Sequence, residues 1–172
     1  MAIVKANFTR SAPRAKASAR YIENRPGRDS QRLVRTLFTS DGKIARRDVY
    51  AMIDQADKSS YFFRLVISPD PRGEDRYRNL SLREITEKTM QSLEERFQQP
   101  VRWVAAIHAD HADHRHVHAI VITPERLHVQ DFQHMRAAAT ETALEQLQRL
   151  EMARGARREQ IHEQSHGLEL GL

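Results

Sequence analysis

The sequence predicts an α+β fold: an antiparallel sheet of about five strands, with helices packed on one of its faces. Three observations predict it. Apolar runs of strand length recur at 2–8, 61–67, 101–108 and 116–122, with helical stretches between them. The last two runs are separated only by the turn-rich segment 109–115, which suits a hairpin. The order of elements is strand, helix, uncertain segment, helix, strand, helix, strand, strand, helix, which is the pattern of an antiparallel sheet with segregated helices.

Each element has a local reason. Residues 2–8, Ala-Ile-Val-Lys-Ala-Asn-Phe, read as an opening strand. Ser11 caps a helix that carries Pro13 in its first turn and runs to about Asn24, where Arg25-Pro26-Gly27 stops it. The segment 31–38 holds Leu33, Val34, Leu37 and Phe38 and fits either type of element. Ser40-Asp41-Gly42 is a turn. Residues 47–57 place Val49, Ile53 and Ala56 on one helical side. Tyr61–Ile67 is a strong strand closed by Ser68-Pro69-Asp70-Pro71. A polar loop follows, and then Ser81 and Glu84 at the spacing of a capping box. The helix behind them sets Leu82, Ile85, Met90, Leu93 and Phe97 on one stripe. Pro100 separates that helix from the strand 101–108. A long helix over 131–154 shows Leu144, Leu147 and Leu150, and its alanine-rich stretch 137–139 fits either a covering or a packing role. The polar residues 155–172 are expected to fray.

The 172 residues suffice for one domain with one core, and the expectation is a single domain over 1–172. With no cysteine, disulfides and thiolate metal sites are excluded. No apolar run approaches the roughly eighteen residues of a membrane span, and no signal-like segment follows Met1. A cytoplasmic protein without membrane insertion is expected.

The net charge is +5, unevenly spread. Residues 1–47 hold twelve Lys and Arg against three Asp and Glu; residues 48–172 hold sixteen against twenty. The basic character therefore belongs to the N-terminal quarter, including Arg10, Arg14, Lys16, Arg20, Arg25, Arg28, Arg32 and Arg35. Such a patch attracts polyanions, nucleic acid above all. A solvated basic face is the plainer alternative.

Five of the nine histidines lie between His108 and His118. If 116–122 is a strand, His116 and His118 project from one face, about 7 Å apart along the backbone. On the preceding strand Arg102, Val104, Ala106 and His108 share a face. A hairpin turning those two faces the same way brings His108 beside the pair. Three neutral imidazoles with open positions can hold a divalent ion and leave room for water or a phosphate oxygen. Such ligands suit Mn, Co, Ni, Zn or Cu, and a phosphate oxygen in the shell would admit Mg²⁺ or Mn²⁺. Asp110 and Asp113 are placed to orient a ligand ring through its second nitrogen. His111 is the alternative third ligand, and His114 a further spare.

The sequence resembles the relaxases of the HUH endonuclease group, the nicking domains of conjugative and mobilisable plasmids. His116-Val117-His118 followed by Ala-Ile-Val-Ile matches the motif that names the group, and His108-Ala109-Asp110 resembles its upstream histidine. Ala19-Arg20-Tyr21-Ile22 with Arg25-Pro26-Gly27 resembles the N-terminal tyrosine motif, and Tyr61–Pro69 the strand between. The resemblance covers about 1–125 and fits the plasmid-mobilisation and T-DNA-border subgroup best. The eight residues between His108 and His116, with Arg115 before the pair, exceed the spacing of many members. The resemblance implies a metal-dependent DNA strand transferase using Mg²⁺ or Mn²⁺. Tyr21 would attack a phosphodiester of single-stranded DNA at an origin of transfer and form a 5′-phosphotyrosine. Partners would be that DNA, relaxosome accessory proteins and a type IV coupling protein.

The residues agree with that chemistry. A phenol is a poor nucleophile at neutral pH and needs cationic surroundings or a base. At helical spacing Arg14, Ser18, Tyr21 and Arg25 share a face. DNA contacts are expected from Arg14, Lys16, Arg20, Arg25 and Arg28, and Tyr77 is the alternative nucleophile. Two other functions fit: a nucleic-acid-binding module without catalysis, and a metal-hydroxide phosphoesterase with no covalent intermediate.

Overall fold

A computed structural model of the protein describes residues 1–26, 33–109 and 114–169. Its elements are β1 (Ile3–Thr9), α1 (Ala12–Asn24), β2 (Phe38–Thr39), β3 (Gly42–Lys43), α2 (Arg46–Asp54), β4 (Tyr61–Ser68), α3 (Leu82–Phe97), β5 (Arg102–His108), β6 (His116–Thr123) and α4 (Val129–Glu169). The six strands form one antiparallel sheet in the order β1-β4-β6-β5-β2-β3. The ambiguous segment thus resolves at its end into a two-residue strand. It pairs with a second short strand across the turn at Gly42, whose φ of +117° suits glycine.

Helices cover both faces of the sheet, which corrects the expectation of one. β6 is buried at every position from Val117 to Thr123, so neither of its faces can be left to water. On one face Phe63, Leu65, Ile67, Trp103, Ala119 and Val121 pack against α3 and α4. On the other, Phe62, Val104, Ala106, Ile120 and Ile122 pack under α1 and α2. α1 contributes Ala15, Ala19 and Ile22 to that second core, the buried stripe of a helix otherwise facing outward.

The capping box at α3 forms only by half. Ser81 Oγ accepts the Glu84 amide at 3.2 Å, but Glu84's carboxylate reaches Arg149 of α4 instead of turning back. The Ser81 amide donates to Gln146 Oε1 at 2.6 Å, and Gln146 Nε2 donates to the Ser81 carbonyl. α4 therefore supplies the missing half of the cap. Its buried stripe is Met135, Ala139, Ala143 and Leu147, while Leu144 is 48% exposed. Small alanines let α4 approach closely. The helix also continues to Glu169, where the sequence reading ended it at 154, and Glu151–Ile161 is exposed throughout. Its Ala, Arg, Glu and Gln content favours helix without packing. Among the described residues no helix is long and apolar enough to cross a membrane.

Candidate metal centre

The register of the β5–β6 hairpin assembles the histidines. His108 stands opposite His116, and Ala106 opposite His118, so the three rings leave one face of the sheet. Ring centroids are 4.6 Å apart for His108 and His118, 5.0 Å for His116 and His118, and 5.4 Å for His108 and His116. One ligand nitrogen of each ring lies within 4.8 Å of the others. Two nitrogens at about 2.1 Å from one ion stand at most about 4.2 Å apart, so a small rotation of the rings closes the site. His108 and His118 are buried and His116 is half-buried, giving a cluster with one wet side.

The donor chemistry fits a metal ion. Both nitrogens of His118 are buried without a hydrogen-bond partner. A buried polar group left that way costs about 1–3 kcal/mol, which a metal bond would recover. Among the described residues only this cluster brings three such ligands together.

The ring of His108 is fixed from across the sheet. Its Nε2 donates to the carbonyl of Ile22 at 2.9 Å, in the last turn of α1. That bond needs hydrogen on Nε2 and leaves the lone pair on Nδ1 available to a metal ion. The sequence reading missed it, because a backbone carbonyl has no residue signature. Asp110 and Asp113, expected in this orienting role, lie outside the described residues, as do His111 and Arg28. His114 is exposed; its carbonyl oxygen is 3.5 Å from Nδ1 of His116.

Arg115 anchors the start of β6. Its guanidinium bonds both oxygens of buried Asp75, at 2.9 and 3.1 Å, and donates to the Leu80 carbonyl at 2.7 Å. Arg115→Met would strand the Asp75 carboxylate in the interior. It is expected to destabilise the protein by about 3–5 kcal/mol, measured by urea denaturation. An unchanged midpoint would show that the pair does not hold the strand.

Burial keeps the His108 and His118 rings neutral. Burial lowers the pKa of His108 to about 4, helped by Arg35, His116 and Arg25 and opposed by the Ile22 bond. Burial lowers that of His118 to about 3, helped by His108, His116, Arg25 and Arg64. Both rings are therefore ready to ligate at neutral pH. In the unfolded chain an imidazole titrates near its ordinary value of about 6.5. Between that value and the folded ones the unfolded state holds the extra protons, so stability rises with pH and is lost as pH falls. The metal-free protein should lose about 1.4 kcal/mol per pH unit for each of the two histidines below pH 6.5. Denaturation midpoints between pH 5 and 7 check this; a His118→Leu variant with the same slope as wild type would contradict it.

Arg25, Arg35 and Arg64 act on these rings as positive charges. Arg35 is tied to the end of α1, its Nη1 donating to the Arg25 carbonyl at 2.7 Å. A cationic surround of this kind disfavours a bare cation and favours one that brings an anion.

The predicted nucleophile stands one residue from Ile22. Tyr21 is 46% exposed and lines an open depression with Arg20, Asn24 and Arg46. Arg14 and Ser18, expected on the same helical face, line a neighbouring groove with Asn7 and Arg64. Lys16 is ion-paired to Asp54 at 2.6 Å and lies over the ring of Tyr50. Tyr77 is held between Arg76 and Arg154, against α4 on the other side of the sheet. Of the sequence-predicted residues, the structure thus gathers the three histidines and sets α1 against them.

Fold and site together define an antiparallel α+β protein whose central hairpin carries a three-histidine cluster able to hold a metal ion. No protein-family model matches the chain, and no curated protein shows a significant match to it.

Proposed function

We propose that the protein is a metal-dependent strand transferase for single-stranded DNA, a relaxase that nicks an origin of transfer. The observation that carries this reading is the bond from His108 to the Ile22 carbonyl. It fastens the metal ligands to the helical turn that presents Tyr21. In the proposed reaction the Tyr21 Oη–phosphorus bond forms and the phosphorus–O3′ bond breaks. The phenol gives up its proton and the departing 3′ oxygen gains one. The 5′-phosphotyrosine stores the broken bond, so the reverse attack by a 3′-hydroxyl rejoins the strand. His108, His116 and His118 would hold Mg²⁺ or Mn²⁺, which when bound would neutralise charge on the scissile phosphate. Arg25 and Arg35 add fixed positive charge around the same place. The exposed ring of Tyr21 leaves its hydroxyl accessible to a strand.

The test is incubation with single-stranded oligonucleotides carrying candidate origins, with Mn²⁺ or Mg²⁺, followed by a denaturing gel. A covalent protein–DNA adduct that chelator suppresses supports the reading. Binding without cleavage would reassign the chain as a nucleic-acid-binding module.

A further inference from the structure

Arg64 is an odd residue for its place. It sits in the middle of β4, a strand flanked on both sides by β1 and β6, opposite Asn7 and Ile120. Its two neighbours on that face of β4 are apolar, Phe62 and Val66. The side chain is half-buried, yet it has no hydrogen bond or ion pair among the described residues. A guanidinium partly withdrawn from water with no counter-charge carries a desolvation cost, and that cost favours a site for an anion.

The surroundings fit such an anion. A polar groove of about 210 Å³ runs between α1 and strands β1 and β4. Arg14 enters it from the helix, Arg64 from the sheet floor, and Asn7, Thr9 and Ser18 add neutral hydrogen-bonding groups. No carboxylate lines it. Arg14 also lacks a side-chain partner among the described residues. On β4 the next residue along this face, Val66, pairs with His118. The groove therefore begins one strand step from the histidine cluster and leads towards the edge strand β1, where Lys5 is exposed. Two converging guanidinium groups with hydroxyl and amide partners suit a phosphate, whose oxygens accept several charge-assisted bonds at once.

We propose that this groove is a phosphodiester site, in which Arg14 and Arg64 hold a backbone phosphate of the strand whose scissile phosphate lies at the histidine cluster. The inference rests on single-stranded DNA being the substrate, and it gives that strand a direction, across β4 to β1.

The test is fluorescence anisotropy of a labelled single-stranded oligonucleotide with the full chain in chelator, so that the histidine cluster holds no metal. At about 0.1 M salt Arg64→Gln and Arg14→Gln should each weaken binding about tenfold or more, as loss of a charge-assisted bond does. Each should also reduce the slope of log affinity against log salt by about 0.7, the value for one lost phosphate contact on a single strand. Arg149→Gln, on the far face, should change neither. Arg14 is exposed on α1, so its variant carries the test if Arg64→Gln does not fold. Wild-type affinity and slope in both variants overturn the proposal. So does displacement of the oligonucleotide by inorganic phosphate at an equal concentration of phosphate groups, which would make the groove a single-anion site. An Arg64-dependent salt slope without any adduct in metal sinks the transferase reading and leaves the groove standing. An adduct without that dependence does the reverse.

Discussion

Tyr21→Phe is expected to abolish the covalent protein–DNA adduct and, with it, cleavage. The substitution removes one oxygen from an exposed ring at the rim of α1, so folding and the metal ligands should be untouched. Strand binding should stay within about twofold of wild type, because phosphate contacts dominate affinity for nucleic acid. The chemical step should fall on the order of 10⁴-fold or more, as when covalent enzymes lose their nucleophile. Cleavage that continues in Tyr21→Phe without an adduct would place water, not tyrosine, as the attacking group. Cleavage that continues with an adduct would move the nucleophile elsewhere. Tyr77, its ring held between two arginines on the opposite side of the sheet, should then be tested by the same substitution.

The second large effect belongs to His118 and runs in two directions. His118→Leu should eliminate metal binding, beyond the 10- to 100-fold or so lost when a partner of a metal ligand is removed. Titration calorimetry with Mn²⁺ reads this directly, and adduct formation should vanish with it. The metal-free protein, however, should become more stable, by about 1–2 kcal/mol. Leucine has a similar volume and removes two buried nitrogens that have no partner. Gain of stability with loss of function is the signature of a residue kept for its site and not for packing. A clear loss of stability in the metal-free variant would show His118 to be an ordinary core residue.

The parts of this molecule legible in its sequence are those written in side-chain periodicity. The alternation in 101–108 and 116–122 put three imidazoles on one face, and the hairpin register does bring His108 opposite His116. Ser11 and Ser81 marked helix starts that their hydroxyls do cap. Other parts are written between elements. The continuous burial of β6 required helices on both faces, yet an apolar run does not say which helix covers which side. Phe38–Thr39 is too short a strand for periodicity to detect. Ile22 orients His108 through its backbone, so any side chain there would carry the same carbonyl. Arg64 was visible as a lone charge in an apolar strand, but its meaning depends on Arg14, which arrives from a different element.

The bond between His108 and Ile22 joins residues 86 positions apart. Closing a loop of that length is entropically costly and comes late relative to local hairpin contacts. The β5–β6 hairpin by itself would have all three rings but no carbonyl to select the tautomer of His108. If the cluster holds a metal as proposed, its affinity would be a property of the finished topology, and metal present during folding would reward the seating of α1 on the sheet. The ion would act less as a nucleus for the chain than as a seal on its completed form.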